Sequence, residues 1–398
     1  MTEKVYATGG ALGYGDLAYD AWGVQKVSLP YSIFHGMFTY DIPAPMWFMY
    51  ENGTQVYTST DITSSGGMAK LLTTASNTVL LLESRECPRY QPNRGALFSA
   101  ALICPDATAD GVRDWGLCTT ENGVFFRLKA DGLLYAVLRR GGVEVLEEEI
   151  DTSGLTGFDV TKNNIYDIQF QWRGAGNYKF FIGDPATGTS RLVHTFNLLG
   201  NLTTVSLEDP ALPIAFKATR TTENVQMQIG CADVSSENGN QDLWQYKSAY
   251  AEAVSVNGTN IPVLSIKSPL QINSVTNTRS LQLARVSVKC AKKATFKFWI
   301  HRDDAALTGE TFAEIGGGSF TQTDSPDTAA GAVRATAFTT TNASLLVAVP
   351  AEANAFYQVD NPLRERINFP LVRGDILTVT VTVAASTADA TIEWGEAI

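Results

Sequence analysis

Residues 124–146 read VFFRLKADGLLYAVLRRGGVEVL, and this stretch decides the fold class. Two apolar runs, 124–128 and 133–138, flank the pair Asp131-Gly132, which tolerates the positive φ angles of a tight turn. A second turn at Gly141-Gly142 leads into another alternating run. The stretch therefore predicts two consecutive antiparallel hairpins.

Other segments repeat this pattern along the chain. Residues 166–172, 283–290, 295–300 and 376–383 alternate apolar and polar side chains with period two, and 390–395 predict a closing strand. Helical spacing is not evident, and Glu147-Glu148-Glu149 fits a solvated strand end better than a helix start. The sequence predicts an all-β protein whose antiparallel sheets have one wet face.

The chain is predicted to have four parts. Residues 1–20, glycine-rich and aperiodic, form an extended N-terminal arm, and 21–235 form a lectin-like β-sandwich domain. The polar segment 236–241 is a linker, and 242–398 form a second antiparallel β-sandwich domain. Within it, 316–318 and 324–332 are expected to be loops.

Composition excludes several function classes. The net charge is −11, and the 30 lysines and arginines are scattered, so nucleic-acid binding is not expected. The five cysteines have no zinc or disulfide spacing and are predicted to be buried thiols of a cytoplasmically made protein. Residues 1–19 do not resemble a signal peptide, and no apolar run is long enough to insert into a membrane.

The sequence lacks the common catalytic patterns. The three histidines show no metal-binding spacing, and the nucleophile-elbow, phosphate-loop and dinucleotide-binding motifs are lacking. We therefore predict no enzyme activity, no catalytic residue, no metal and no cofactor. Glycoside hydrolysis needs two nearby carboxylates, and five acids, each with an equally good turn or surface interpretation, are the candidates: Glu83, Glu86, Asp114, Glu121 and Asp131.

Two sets of side chains are candidates for binding. Trp47 and Trp115 could stack on a ligand such as a sugar ring, with burial in the sandwich core as the alternative. Arg89 and Arg94, in the proline-bounded loop 88–95, could pair with carboxylates across an interface, or could tie the loop to its own domain. The predicted interface residues are Tyr14, Tyr19, Trp22, Arg89 and Arg94.

A set of sequence blocks carries a family resemblance: residues 34–38, 88–95, 121–128, 164–176 and 209–214. This series resembles a family of tailed-bacteriophage virion structural proteins and covers about residues 20–235. The resemblance implies a concanavalin-like or jelly-roll sandwich. It supplies no catalytic residue.

The leading hypothesis is an accessory structural protein of a tailed-phage virion, as a capsid decoration or head/neck fibre subunit. It would be assembled in the host cytoplasm, contact capsid, neck or tail proteins, and form a homo-oligomer such as a trimer. The alternative is a tail-associated carbohydrate- or receptor-binding protein that takes a surface glycan. A third hypothesis, a polysaccharide depolymerase, lacks the β-helix repeats common in that class.

Overall fold

The computed structural model describes residues 21, 30–92, 94–237, 244–272, 275–301, 307–308, 312–314, 322–324, 337–340, 343–360 and 371–397. All regular structure in these residues is β-strand, which confirms the predicted fold class. The chain divides into two compact units, residues 1–241 and 242–398.

The first unit contains sixteen strands among the described residues. They are β1 Tyr31–Met37, β2 Trp47–Glu51, β3 Thr54–Val56, β4 Ile62–Ser65, β5 Met68–Leu72, β6 Val79–Ser84, β7 Gly95–Ile103, β8 Gly111–Cys118, β9 Gly123–Leu128, β10 Leu134–Arg140, β11 Val143–Glu149, β12 Asn164–Phe170, β13 Asn177–Asp184, β14 Thr189–Asn197, β15 Ile214–Arg220 and β16 Gln226–Glu237.

These strands form two antiparallel eight-stranded sheets. Sheet I has the order β14-β13-β12-β7-β16-β5-β4, with β1 also paired to β16, and sheet II has the order β11-β10-β9-β8-β15-β6-β2-β3. The chain passes from one sheet to the other repeatedly, for example between β5 and β6, β7 and β8, and β15 and β16. Such crossing is typical of a jelly-roll sandwich, so the predicted architecture is confirmed.

The core of this sandwich corrects the prediction for Trp47 and Trp115. Trp115 is fully buried, stacked on Phe126 at 5.8 Å between ring centroids and edge-on to Tyr166 of sheet I at 5.0 Å. Trp47 is also buried, with Phe34 5.4 Å away. Strand alternation turns both indoles toward the opposite sheet. The ligand-stacking prediction is therefore wrong for both, and the core interpretation is confirmed.

The two hairpins predicted from residues 124–146 are confirmed. β9 pairs with β10, with Leu128 opposite Leu134, and the connecting turn places Gly132 at φ +76°. β10 pairs with β11, with Arg140 opposite Val143. Gly141 and Gly142 have φ angles of +58° and +78°, as a two-residue type I′ turn requires.

Replacing Gly142 by alanine is expected to lower the free energy of unfolding by about 1 kcal/mol, because a Cβ atom disfavours the left-handed backbone. Nothing lies closer than 3.9 Å to that Cβ, so the effect is one of backbone conformation. Urea denaturation measures it. The matched control is Gly230→Ala in β16, whose Cβ would have its nearest neighbour at 3.7 Å. An equal loss of stability in both variants would contradict the turn assignment.

The second unit contains the remaining strands. They are β17 Trp244–Lys267, β18 Gln271–Ile272, β19 Val275–Thr276, β20 Leu281–Cys290, β21 Ala294–His301, β22 Leu307–Thr308, β23 Ala313–Glu314, β24 Gln322–Asp324, β25 Ala337–Phe338, β26 Ala343–Ala351, β27 Phe356–Asp360 and β28 Ile376–Ala397.

A long two-stranded ribbon of β17 and β28 organises this unit. The two strands are antiparallel: Trp244 pairs with Ala397 at one end of the ribbon, and Lys267 pairs with Ile376 at the other. Four register shifts lie near the middle. β20 pairs with the later half of β28 and β21 with its earlier half. The segments 376–383 and 390–395, predicted as separate strands, are thus parts of one strand. The residues between them include no glycine or proline to end it.

The ribbon bends back on itself, which makes the unit a sandwich. Leu281 pairs with Glu396 near one end of β28 and also exchanges backbone hydrogen bonds with Leu371. Leu371 lies five residues before Ile376, so Ile376, at the other end of β28, is within about 17 Å of Leu371. A straight strand would separate Ile376 from Glu396 by about 66 Å. The predicted second sandwich is therefore confirmed.

The predicted linker, 236–241, needs correction at its start. Ser236 and Glu237 belong to β16 and are buried, and Glu237 accepts a 2.8 Å hydrogen bond from Gln169 Nε2. Their polar side chains suggested a linker, but they pair on the sheet with Ala96 and Gly95. Residues 238–241 and the predicted loop 316–318 lie outside the described residues. Of the predicted loop 324–332, only Asp324 is described, and it ends β24.

Candidate functional site

The outer face of sheet II, on the side opposite the core, concentrates charged side chains. On β8, Trp115 points into the core, so its neighbour Asp114 points outward. Strand pairing places Arg127 of β9 directly beside Asp114. Arg139 of β10 and Glu144 of β11 are likewise opposite each other. Four adjacent strands thus bring acids and bases together on one surface.

Arg127 is the centre of this cluster. Its guanidinium binds both oxygens of Asp114, at 2.7 Å from Nε and 3.0 Å from Nη2. It also binds both oxygens of Glu144, each at 2.7 Å. A third carboxylate, Glu147, lies 3.0 Å from Nη1 and is shared with Lys129 at 2.8 Å. Arg139 Nη2 donates a further hydrogen bond to Glu144 at 3.1 Å. We call these six residues the Arg127 network.

Aromatic rings support the network from beneath. The Phe125 ring is buried, and the guanidinium groups of Arg127 and Arg139 lie over it at 5.4 and 4.9 Å from its centroid. The Lys129 ammonium lies 4.1 Å from the centroid of Tyr135. These cation–π contacts fix the orientation of the basic side chains. The rings are covered by charged groups instead of being offered to a ligand.

The network keeps the Glu144 carboxylate ionised. Hydrogen bonds from Arg127 lower the pKa of Glu144 to about 2, against the opposing effect of partial burial. Burial alone would lower the pKa of Arg127, but its bonds to Asp114 and Glu144 raise it above the ordinary value. A glycosidase needs one carboxyl that holds a proton near neutral pH. Glu144 is the opposite, a fixed anion.

This depressed pKa gives a pH-dependent contribution to stability. Because the pKa of Glu144 is lower in the folded state than its usual 4.5, the contribution is complete above about pH 4.5 and disappears as pH falls toward 2. We expect Glu144→Gln to flatten the decline of the urea midpoint over this window. Glu149→Gln, an exposed neighbour on β11, is the control and should keep the wild-type profile. Identical profiles for the two variants would contradict the pairing.

None of the remaining candidate acids belongs to the Arg127 network. Glu83 also faces outward on sheet II, two strands away from Asp114 on β6 and two residues along. Strand spacing then separates the two Cα atoms by about 12 Å. Glu121 and Asp131 lie in turns, and Asp131 accepts hydrogen bonds from Leu133 N and Tyr135 Oη, each 2.9 Å long.

Burial raises the pKa of Glu86 to about 7. Glu86 follows β6 in the connection to β7, and its charge and that of Asp209 add to the burial that raises the pKa of the neighbouring Cys87 thiol. A carboxyl with this pKa holds a proton near neutral pH, as a general acid must. Hydrolysis also needs a second nearby carboxylate, and Asp114 is bound to Arg127.

The loop 88–95 is anchored to its own domain. Tyr90 packs against Phe170 and Trp172, with centroid distances of 6.2 and 5.8 Å, and its hydroxyl accepts a bond from Arg173 N. Arg89 and Arg94 are half-buried, and each takes part in an interaction. These contacts favour the interpretation as a buttress. The interface role of the two arginines stays a prediction.

Three predicted interface residues, Tyr14, Tyr19 and Trp22, lie outside the described residues, as does the whole predicted arm. Ala21 alone is described in this region. It is buried, and its carbonyl accepts a hydrogen bond from Asn177 Nδ2 at 2.5 Å. The chain therefore contacts sheet I at the start of β13 just after the predicted arm.

The histidines and cysteines of the described residues differ in burial. His301 is buried and its Nε2 lies 2.8 Å from Thr378 Oγ1, whereas His35 is exposed on β1. All five cysteines are free, and four are buried as predicted, with Cys231 the exception. Burial raises the pKa of Cys104 to about 12 and that of Cys118 to about 11. These two thiols are not activated nucleophiles.

The described residues contain no group of three or more His, Cys, Asp or Glu side chains arranged to hold a metal ion. They also contain no helix of the length and apolar character needed to cross a membrane.

No family model and no curated protein matches this chain. Among solved structures it is similar to the endo-1,3-β-glucanase of Streptomyces sioyaensis, with 12% identity over 53% of this chain and 97% of that one, and a TM-score of 0.38. It is also similar to a protein of Mycobacterium tuberculosis described as a pseudo β-1,3-glucanase, with 12% identity, 53% and 99% coverage and a TM-score of 0.37. Likenesses of this size define neither a family nor an activity.

Sequence reasoning named Asp114 but missed the network around it. From the sequence, Arg127 is only the polar residue of an apolar strand, and Glu144 is part of the alternating run that follows the second turn. A usable signal existed, because the hairpin register at Asp131-Gly132 and Gly141-Gly142 fixes which residues of β9, β10 and β11 share a face. The pairing with β8 needs the tertiary fold.

Proposed function

We propose that this chain is a non-catalytic, accessory structural protein of a tailed-phage virion, acting as a capsid decoration or head/neck fibre subunit. The observation that carries the non-catalytic part is the Arg127 network. Asp114, Glu144 and Glu147 are all engaged by basic side chains. A surface of this kind stabilises a sheet, and it leaves none of these three carboxylates unpaired.

The virion assignment is supported by the sequence resemblance over residues 20–235. Exposed apolar side chains along and just after β1 agree with a subunit that assembles. Tyr31 and Met37 of β1 and Tyr40 just after it are 52%, 66% and 95% exposed. Aromatic residues and methionine are enriched at subunit interfaces. We propose that Tyr31, Met37 and Tyr40 contribute to contacts with another copy or with a capsid, neck or tail protein.

Two measurements test the proposal. Light scattering on the purified protein should show a homo-oligomer such as a trimer, and a cryo-EM map of the particle should locate the chain at its surface. Met37→Asp with Tyr40→Asp should weaken assembly or incorporation. Leu133→Asp, in an exposed turn, is the matched control. A monomer that is missing from washed virions would overturn the proposal.

Activity is tested separately. Incubation with host polysaccharide should release no reducing ends above a heat-treated sample. Release that is abolished by Glu86→Gln would show an enzyme and contradict the non-catalytic assignment. The alternative, a tail-associated carbohydrate- or receptor-binding protein, loses the support of Trp47 and Trp115, since both are buried.

A further inference from the structure

A cleft lies at the lateral edge of the first sandwich. It has a volume of about 450 Å³ and lies between β10 and β11 of sheet II and the end of β14 in sheet I, closed by the loop 197–206. Ligand clefts generally have volumes of about 300–1,000 Å³. None of the residues predicted from sequence lines it.

The cleft has an apolar floor. Leu138, Phe196 and Leu198 are core residues that close the base of the cleft, and the partly buried Val145, Leu146 and Leu202 form the accessible part of its floor. Phe196 and Leu198 are almost fully buried, whereas Asn197 and Asn201 beside them are exposed. An amphipathic ligand would thus meet carbon at the floor and polar groups at the rim.

The rim is held in place by the fold. Gly200, at φ +77°, allows the tight turn in which Asn201 N donates to Leu198 O and Leu199 N donates to Asn197 Oδ1. Ser206 is fully buried, and its hydroxyl lies 2.7 Å from Tyr178 Oη. The polar groups around the cleft are therefore positioned before any ligand arrives.

Several rim atoms keep unused hydrogen-bonding capacity. Arg140 Nη1 donates hydrogen bonds to Thr204 Oγ1 and Val205 O. Its Nε and Nη2, together with Asn197 Nδ2 and Asn201 Oδ1, have no partner among the described residues. Glu148 Oε2 lies 3.3 Å from His194 Nε2, and the carboxylate is half exposed. The rim thus offers donors and acceptors side by side, with one basic and one acidic group.

We infer that this cleft binds a neutral saccharide. A sugar hydroxyl both donates and accepts, which matches paired amides, a guanidinium and a carboxylate. The C–H face of a pyranose ring matches the aliphatic floor of Val145, Leu146 and Leu202. One positive and one negative side chain leave no net charge to select an ionic ligand. This goes beyond the structural role proposed above and does not depend on it.

Calorimetric titration tests the inference on the full chain, with di- and trisaccharides of glucose, galactose, mannose and N-acetylglucosamine as probes. At least one should bind. Asn201→Ala should weaken that binding about tenfold, the equivalent of one or two lost hydrogen bonds. Leu146→Trp should abolish it by filling the floor. The control is Asn163→Ala. This exposed asparagine lies just before β12, at the end of that strand away from the cleft, and the variant should bind like the wild type.

Thermal melting of each variant separates lost binding from lost folding, and Asn201→Ala, at an exposed site, should melt like the wild type. Absence of binding to every saccharide, or binding that the two cleft variants leave unchanged, would overturn the inference. An extended peptide that binds the wild type and is blocked by Leu146→Trp, with no saccharide doing so, would also overturn it, and would indicate strand addition at β11 or β14.

Discussion

Replacing Trp115 by alanine is expected to lower the free energy of unfolding by about 3–5 kcal/mol, the cost of removing a large aromatic side chain from a core. The indole is fully buried between the sheets and contacts Phe126 and Tyr166. The remaining cavity would be lined by rings that are themselves fixed in the core. Urea denaturation at neutral pH measures the loss.

Trp115→Phe is the matched variant and should cost much less. Trp115 Nε1 is buried without a hydrogen-bond partner among the described residues, so phenylalanine loses volume but no hydrogen bond. Saccharide binding should be unchanged in Trp115→Phe, since the residue does not line the cleft. A Trp115→Ala protein of wild-type stability that has lost ligand binding would contradict the core assignment and restore the stacking hypothesis.

Replacing Arg127 by alanine is expected to cost about 3 kcal/mol or more. Removing one partner of a buried ion pair leaves the other charge desolvated and uncompensated. The Asp114 side chain is only 7% exposed and depends on Arg127 for both of its bonds. The flattened acid profile expected for Glu144→Gln should appear in this variant as well.

Arg191→Ala is the control for the loss of an arginine. That side chain is 52% exposed and lies 4.0 Å from Asp184, so its removal should change stability by less than about 1 kcal/mol. The double variant Arg127→Met with Asp114→Asn should recover much of the loss, because it removes the buried charge together with its partner. Equal stabilities of Arg127→Ala and Arg191→Ala would show that the network is solvated in solution.

The strands were predictable where local chemistry specifies them. Asp131-Gly132 and Gly141-Gly142 fix two hairpins, and the alternation in 283–290 and 295–300 appears directly as β20 and β21. Where two predicted strands proved to be one, in β28, the sequence has no glycine or proline between them. Polar side chains at 236–237 suggested a linker, because pairing with a distant strand leaves no local mark.

The sites were less predictable, for a physical reason. Whether an aromatic residue faces a core or a solvent depends on what covers its strand, and period-two alternation marks two faces without saying which is inner. Trp115 and Asp114 are neighbours in sequence, yet one is core and the other belongs to the Arg127 network. The cleft draws on β10, β11, β14 and a loop, and no short segment contains its pattern.

The bent ribbon of β17 and β28 has a consequence for biosynthesis. Trp244 finds its partner at Ala397, and β20 and β21 both complete their pairing on β28. The second unit thus has its most distant contacts at its centre, a topology associated with slow folding. The first unit can form its core while translation continues, but the second must wait until residues 376–397 leave the ribosome.

During that interval β17 and β20 have unpaired edges. Chaperone depletion should therefore reduce the yield of the full chain more than that of a fragment ending at residue 241.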